Sequence, residues 1–140
     1  MNEVQIEGWL LKIDVEKTQA AFSNIDVETI AENFRAASRT MNQEVLGFCE
    51  ILGIDPYKPS LLQAFPVDGN QVMYSGYYNL CGEIVEGELD EWDIVVDAHC
   101  FTLTEQNEGK PEWLTEPYFQ IGFEVVLPDV SEKTVELIGK

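Results

Sequence analysis

Residues 118–127 read YFQIGFEVVL. Phe119, Ile121, Phe123, Val125 and Leu127 alternate with Tyr118, Gln120, Gly122 and Glu124. A period of two sends the first set to one face of a β-strand and the second to the other. A strand with one apolar and one mixed face belongs to an antiparallel sheet covered on one side. Pro128 ends the run because it cannot donate to a ladder. Upstream, the stretch 91–105, EWDIVVDAHCFTLTE, reads as a second strand. Residues 71–87, QVMYSGYYNLCGEIVEG, read as a long third one, with bulges expected at Gly76 and Gly82. Asp68-Gly69-Asn70 is a turn signal joining that strand to SLLQAFPV at 60–67.

Before Gly53 the pattern changes to helical spacing. Asp14 is placed to cap a short helix that turns Val15, Ala21 and Phe22 inward, and Asp26 to cap a second carrying Ile30, Phe34 and Ala37, with Glu28, Glu32 and Arg35 on its wet side. Thr40 and Gln43 form a capping box for a third helix, with Val45, Leu46, Cys49 and Leu52 as its stripe and Gly53 as its left-handed stop. Pro56 and Pro59 then force an extended connection. The expected fold class is α+β, with N-terminal helices packed on one face of an antiparallel β-meander sheet. The 140 residues, 45% apolar and 11% aromatic, suffice for one core. A single domain is expected, with a helical part at about 1–53, a strand part at about 60–128 and a short C-terminal tail.

The run LGIDPYKPSLL, then DG, then YSGYYNLCGEI resembles a group of small uncharacterised bacterial proteins with GIDPxKP and YxGxYxxxG stretches in that order. The resemblance covers about residues 8–127, its motifs are structural in kind, and it carries no activity with it. Proteins of that pattern have clustered cysteines before an Asn-Phe pair. Asn33-Phe34 is present here, but DVETIAE before it holds no cysteine, so no metal or redox role transfers.

The formal charge is -18, from 26 acidic and 8 basic residues. Residues 1–40 carry seven acids and four bases, a net of -3, and residues 41–140 carry nineteen and four, a net of -15. Between 83 and 116 there are eleven acids and one base, Lys110. Such a field repels phosphate backbones and anionic lipid, which disfavours direct binding to nucleic acid or a membrane surface and favours a basic protein surface as partner. Glu86, Glu88, Asp90, Glu91, Trp92, Asp93, Glu112 and Trp113 are the candidate partner-binding residues. Carboxylates interleaved with aromatic rings suit a groove that otherwise takes a nucleic-acid backbone.

Cys49, Cys81 and Cys100 are odd in number and lack CxxC spacing, which fits reduced thiols and a cytoplasmic location. No run is long enough for a membrane helix, and the N-terminus MNEVQIEGWLLK lacks the basic start of a signal peptide. The only histidine, His99, lies beside Asp97. On one continuous strand, Trp92, Ile94, Val96, Ala98 and Cys100 would face the core, and Asp93, Val95, Asp97, His99, Phe101 and Leu103 the other side. His99 and Asp97 are then the candidates for a metal ligand or general base. Zinc spacing, DxDxDG, phosphate loops, GxSxG and HExxH are all missing, so no cofactor is implied and the balance leans away from an enzyme. The alternatives are an enzyme using His99 and nearby acids, and a self-associating domain; the protein is expected as monomer or dimer. The rings of Tyr74, Tyr77, Tyr78, Trp92 and Trp113 are read as fillers of the sheet core and its edges rather than a sugar platform.

Overall fold

The computed structural model describes residues 1–26, 30–92, 94–104 and 117–130. It is a mixed α+β fold with one antiparallel sheet, and in chain order its elements are β1 (Asn2–Ile6), β2 (Trp9–Ile13), α1 (Val15–Phe22), α2 (Glu32–Ala37), a 3-10 turn (Ser38–Thr40), α3 (Gln43–Leu52), β3 (Leu61–Val67), β4 (Gln71–Glu86), β5 (Ile94–Val96), β6 (His99–Thr104) and β7 (Tyr118–Pro128). The helices are therefore not first. A hairpin precedes them, closed by the two-residue turn Glu7–Gly8 between the partners Ile6 and Trp9, with Glu7 in the left-handed region at φ 50°. Trp9, Leu11 and Ile13 alternate with Leu10 and Lys12, and all three are fully buried.

The sheet runs β1-β2-β4-β7-β6-β5, with β3 on β4 as well. β1–β2, β3–β4 and the run β5–β6–β7 pair in chain order, but β2 and β4, and β4 and β7, are joined out of order, so the described strands are not one continuous meander. β4 is the spine. Along it β3 pairs with Gln71 to Tyr77, β2 with Gly82 to Glu86, and β7 with Gln71 to Cys81. The Tyr77 carbonyl accepts from Ser60 N and the Cys81 carbonyl, four residues on, from Asp14 N. A spacing of four keeps both on one edge, so β3 and β2 follow one another along it. The start of α1 fills the gap between them: Thr18 Oγ1 accepts from Cys81 N at 3.0 Å, and Thr18 is fully buried.

Neither expected bulge is found. Gly76 pairs in unbroken register with Leu62 and Phe123, and the register shift on β4 falls between the partners of Leu10 and Leu11, at Val85. Gly76 is there because the Leu61 carbonyl oxygen stands where a Cβ would go.

The helix ends follow side-chain chemistry. Asp14 Oδ1 accepts from Lys17 N at 3.0 Å to cap α1. The cap of α3 is Asn42, whose Oδ1 accepts from Val45 N at 3.1 Å; Thr40 instead donates to Ala37 O and belongs to the preceding turn. Gly53 ends α3 at φ 78° as expected. Residues 27–29 lie outside the described residues, and with them the helix start expected after Asp26; α2 begins at Glu32 behind Ala31, which offers no side-chain cap.

Phe22, Phe34 and Phe48, one from each helix, meet Tyr78 at 6.1 Å, Tyr74 at 5.1 Å and Phe101 at 4.4 Å between ring centres. These rings, with Phe119, Ile121, Phe123 and Leu103, form the core. Asn33 fastens α2 to the end of β7: its Nδ2 donates to Tyr74 OH and Pro128 O, and its Oδ1 accepts from Val130 N.

Candidate interaction surface

The chain leaves β4 at Glu86, and residues 87–92 lead toward β5. Gly87, at φ 149°, makes the crossing close: an added Cβ would stand 2.6 Å from Leu103 Cδ1 and 3.4 Å from Trp9 Cδ1. Leu89 then bridges Leu103 in parallel, and Asp90 N donates to Leu103 O at 2.8 Å. Asp90 adopts φ 62°, a conformation that Asp and Asn tolerate better than other side chains. At the far end of the crossing, Trp92 Cη2 lies 3.8 Å from the position of a Cβ on Gly122, so the indole reaches back over β7. Backbone bonds and one ring thus hold the connection against the sheet.

Glu83, Glu86, Glu88, Asp90, Glu91 and Asp97 are all exposed. Between them stand exposed apolar side chains: Val85 at 44%, Leu89 at 41%, Trp92 at 44% and Val95 at 64%. Of the candidate residues, Glu86, Glu88, Asp90, Glu91 and Trp92 share this one connection, while Asp93, Glu112 and Trp113 lie outside the described residues. Val95 was expected on the side away from the core, as found; the exposure of Val85 and Leu89 was not legible, because single apolar residues beside a strand are normally assigned inward.

His99 is elsewhere than expected. Residues 94–104 form a hairpin, not one strand, with the turn Asp97–Ala98 between the partners Val96 and His99 and Asp97 at φ 54°. A two-residue turn reverses the face assignment beyond it: Ile94 and Val96 share a face with His99, Phe101 and Leu103, and Cys100 takes the opposite one. His99 is 2% exposed, its ring stacked on Phe101 at 5.6 Å and tilted to Phe123 at 6.5 Å. Both ring nitrogens are enclosed without a hydrogen-bond partner. Burial pushes its pKa down to about 4, with the Asp97 charge opposing. A ring held neutral among phenylalanines is core, and Asp97 stays exposed at the turn.

The thiols are also dispersed, on α3, β4 and β6. Burial, with a smaller contribution from Asp55, pushes Cys49 up to about 12, and burial raises Cys81 too, so neither is a ready nucleophile. Among the described residues no three His, Cys, Asp or Glu side chains group as a metal site. Tyr74, Tyr77 and Tyr78 are buried, as fillers of a sheet would be.

Two clefts are bordered by described residues. One of about 430 Å³ lies between the ends of α1 and α3, bordered by Gln19, Phe22, Glu50 and Lys58. The other, about 630 Å³, is lined by Glu32, Arg35, Ala36, Arg39 and Tyr57. The sequence did contain a signal for the second: Arg35 and Arg39 are the chain's only arginines and stand four apart.

The fold and this surface define a small α+β protein with an acidic, apolar-studded connection held against its sheet. Compared with known protein families, curated proteins and solved structures, the chain matches none.

Proposed function

We propose that this protein is a noncatalytic docking module that presents residues 86–92 to a basic surface on another protein, in a groove of the kind that takes a nucleic-acid backbone. One arrangement carries the reading: exposed Glu86, Glu88, Asp90 and Glu91 are interleaved with exposed Leu89 and Trp92 on a connection tied to Leu103. Charge steers a basic partner to the surface, and half-buried apolar groups supply area to be desolvated on contact. Tethering lowers the entropy lost on binding. On this reading the helices cover the sheet face carrying Tyr74, Tyr78 and Phe101, leaving the connection free to meet its partner.

Two other readings have less behind them. An enzyme built on His99 would need that ring turned out from between Phe101 and Phe123. Self-association through β3 has an exposed row in its favour, Leu61, Phe65 and Val67. However, Pro66 pairs opposite Val72, and alternation from the Tyr77 carbonyl turns its nitrogen toward the free edge, where it offers no donor. The three cysteines are free, which supports a reducing, cytoplasmic setting. No described helix is long and apolar enough to cross a membrane.

The test is retention of lysate proteins on the immobilised chain at about 50 mM salt and their release at about 500 mM, a range over which exposed charges become screened. A variant carrying E86Q, E88Q, D90N and E91Q is run beside it; Asn at 90 preserves the left-handed backbone. A basic protein held by the native chain, released by salt and lost from the variant is expected. Equal retention by both chains would sink the proposal.

A further inference from the structure

The cleft of about 630 Å³ beside α2 concentrates positive charge in a chain of net charge -18. Arg35 and Arg39 both line it, with Glu32, Ala36 and the Tyr57 ring. Tyr57 comes from the connection after α3, where its N donates to Asp55 Oδ1 at 3.0 Å. Arg35 is half-buried and its Nε is enclosed without a hydrogen-bond acceptor. Neither guanidinium is ion-paired among the described residues, although the chain holds 26 acids to 8 bases. The enclosed Nε of Arg35 is a donor without an acceptor, and a carboxylate is the partner that the planar guanidinium group matches.

We propose that this cleft binds a small organic carboxylate, its head on Arg35 and Arg39 and its apolar body against Ala36 and Tyr57. The volume falls within the range of small-molecule sites. Among the described lining residues two arginines and Glu32 sum to a charge of +1, which one carboxylate neutralises. A phosphate dianion would overshoot that balance and meet stronger repulsion from the rest of the molecule. None of these residues belongs to the acidic connection, so the site stands or falls independently of partner docking.

The experiment is titration calorimetry of the whole chain with benzoate, phenyl phosphate and benzyl alcohol at low salt. Benzoate is expected to bind one to one, with benzyl alcohol, which lacks the charge, at least about tenfold weaker. R39Q alters an exposed side chain and R35Q a half-buried one; each is expected to weaken benzoate at least about tenfold, whereas K58Q, in the other cleft, leaves it unchanged. Circular dichroism identifies a variant that fails to fold, and R39Q then carries the comparison. Absence of benzoate binding, equal binding by R39Q, or tighter binding of phenyl phosphate than of benzoate overturns the assignment.

Discussion

His99 concentrates the physics of the molecule in one side chain. Its ring is core by position, yet it brings two nitrogens that find no partner there, and burial without hydrogen bonding costs stability. Its folded pKa of about 4 lies below the ordinary 6.5. Between those values the unfolded chain binds the proton and the folded chain does not. Stability therefore falls as pH drops from 6.5 toward 4, and the full contribution is present only above 6.5; the shift corresponds to a loss on the order of 3 kcal/mol. Because there is no other histidine, the effect is separable. Urea unfolding of the native chain and His99→Leu at pH 7, 6, 5 and 4.5 is expected to show the difference between them moving toward the variant as pH falls. A difference that does not change with pH would mean that the ring is hydrated or partnered in solution. The histidine's identity was plain in the sequence, but its environment was not, because Asp97-Ala98 lacks the Gly or Asn that marks a two-residue hairpin turn.

At the scale of elements, legibility followed the strength of local chemistry. The strand 118–127 was readable because its alternation is complete, and α3 because Gly53 marks its end. The β1–β2 hairpin was missed although Trp9, Leu11 and Ile13 alternate, since the short, charged Glu7–Gly8 turn has none of the usual Asn-Gly signature. The cap of α3 was displaced by two residues. Thr40 and Gln43 satisfied the capping-box pattern, but Asn42 stands nearer the helix and its side chain reaches Val45 N. Asn42→Ala is therefore expected to cost about 1 kcal/mol, and Thr40→Ala less, since its hydroxyl only donates to Ala37 O within the preceding turn. Chemical denaturation of the two variants checks the order; a larger loss for Thr40→Ala would return the cap to that residue. The acidic connection was legible in composition and not in position, because its tie to Leu103 depends on a strand that follows it in the chain.

Across the whole molecule the charge of -18 works against compactness, since folding brings like charges nearer together. Screening relieves that repulsion. Raising sodium chloride from about 50 to about 500 mM is expected to lift the unfolding midpoint by roughly 2–5 °C, as a gain near 1 kcal/mol would in a chain of this length. Calorimetry at the two concentrations reads it directly, and an unchanged or lower midpoint would mean that the acids are already balanced by close cations in the fold. The position of β4 has a consequence for how the protein is made. Its partners lie at residues 10–13, 61–67 and 118–128, so closing the sheet pairs residues as far apart in the chain as Leu10 and Glu86, and such topologies fold slowly. Among the described strands β7 leaves the ribosome last, and until it arrives one edge each of β4 and β6 stands open. Nascent chains of this protein therefore carry their greatest risk of wrong pairing in the interval between the emergence of β6 and that of β7.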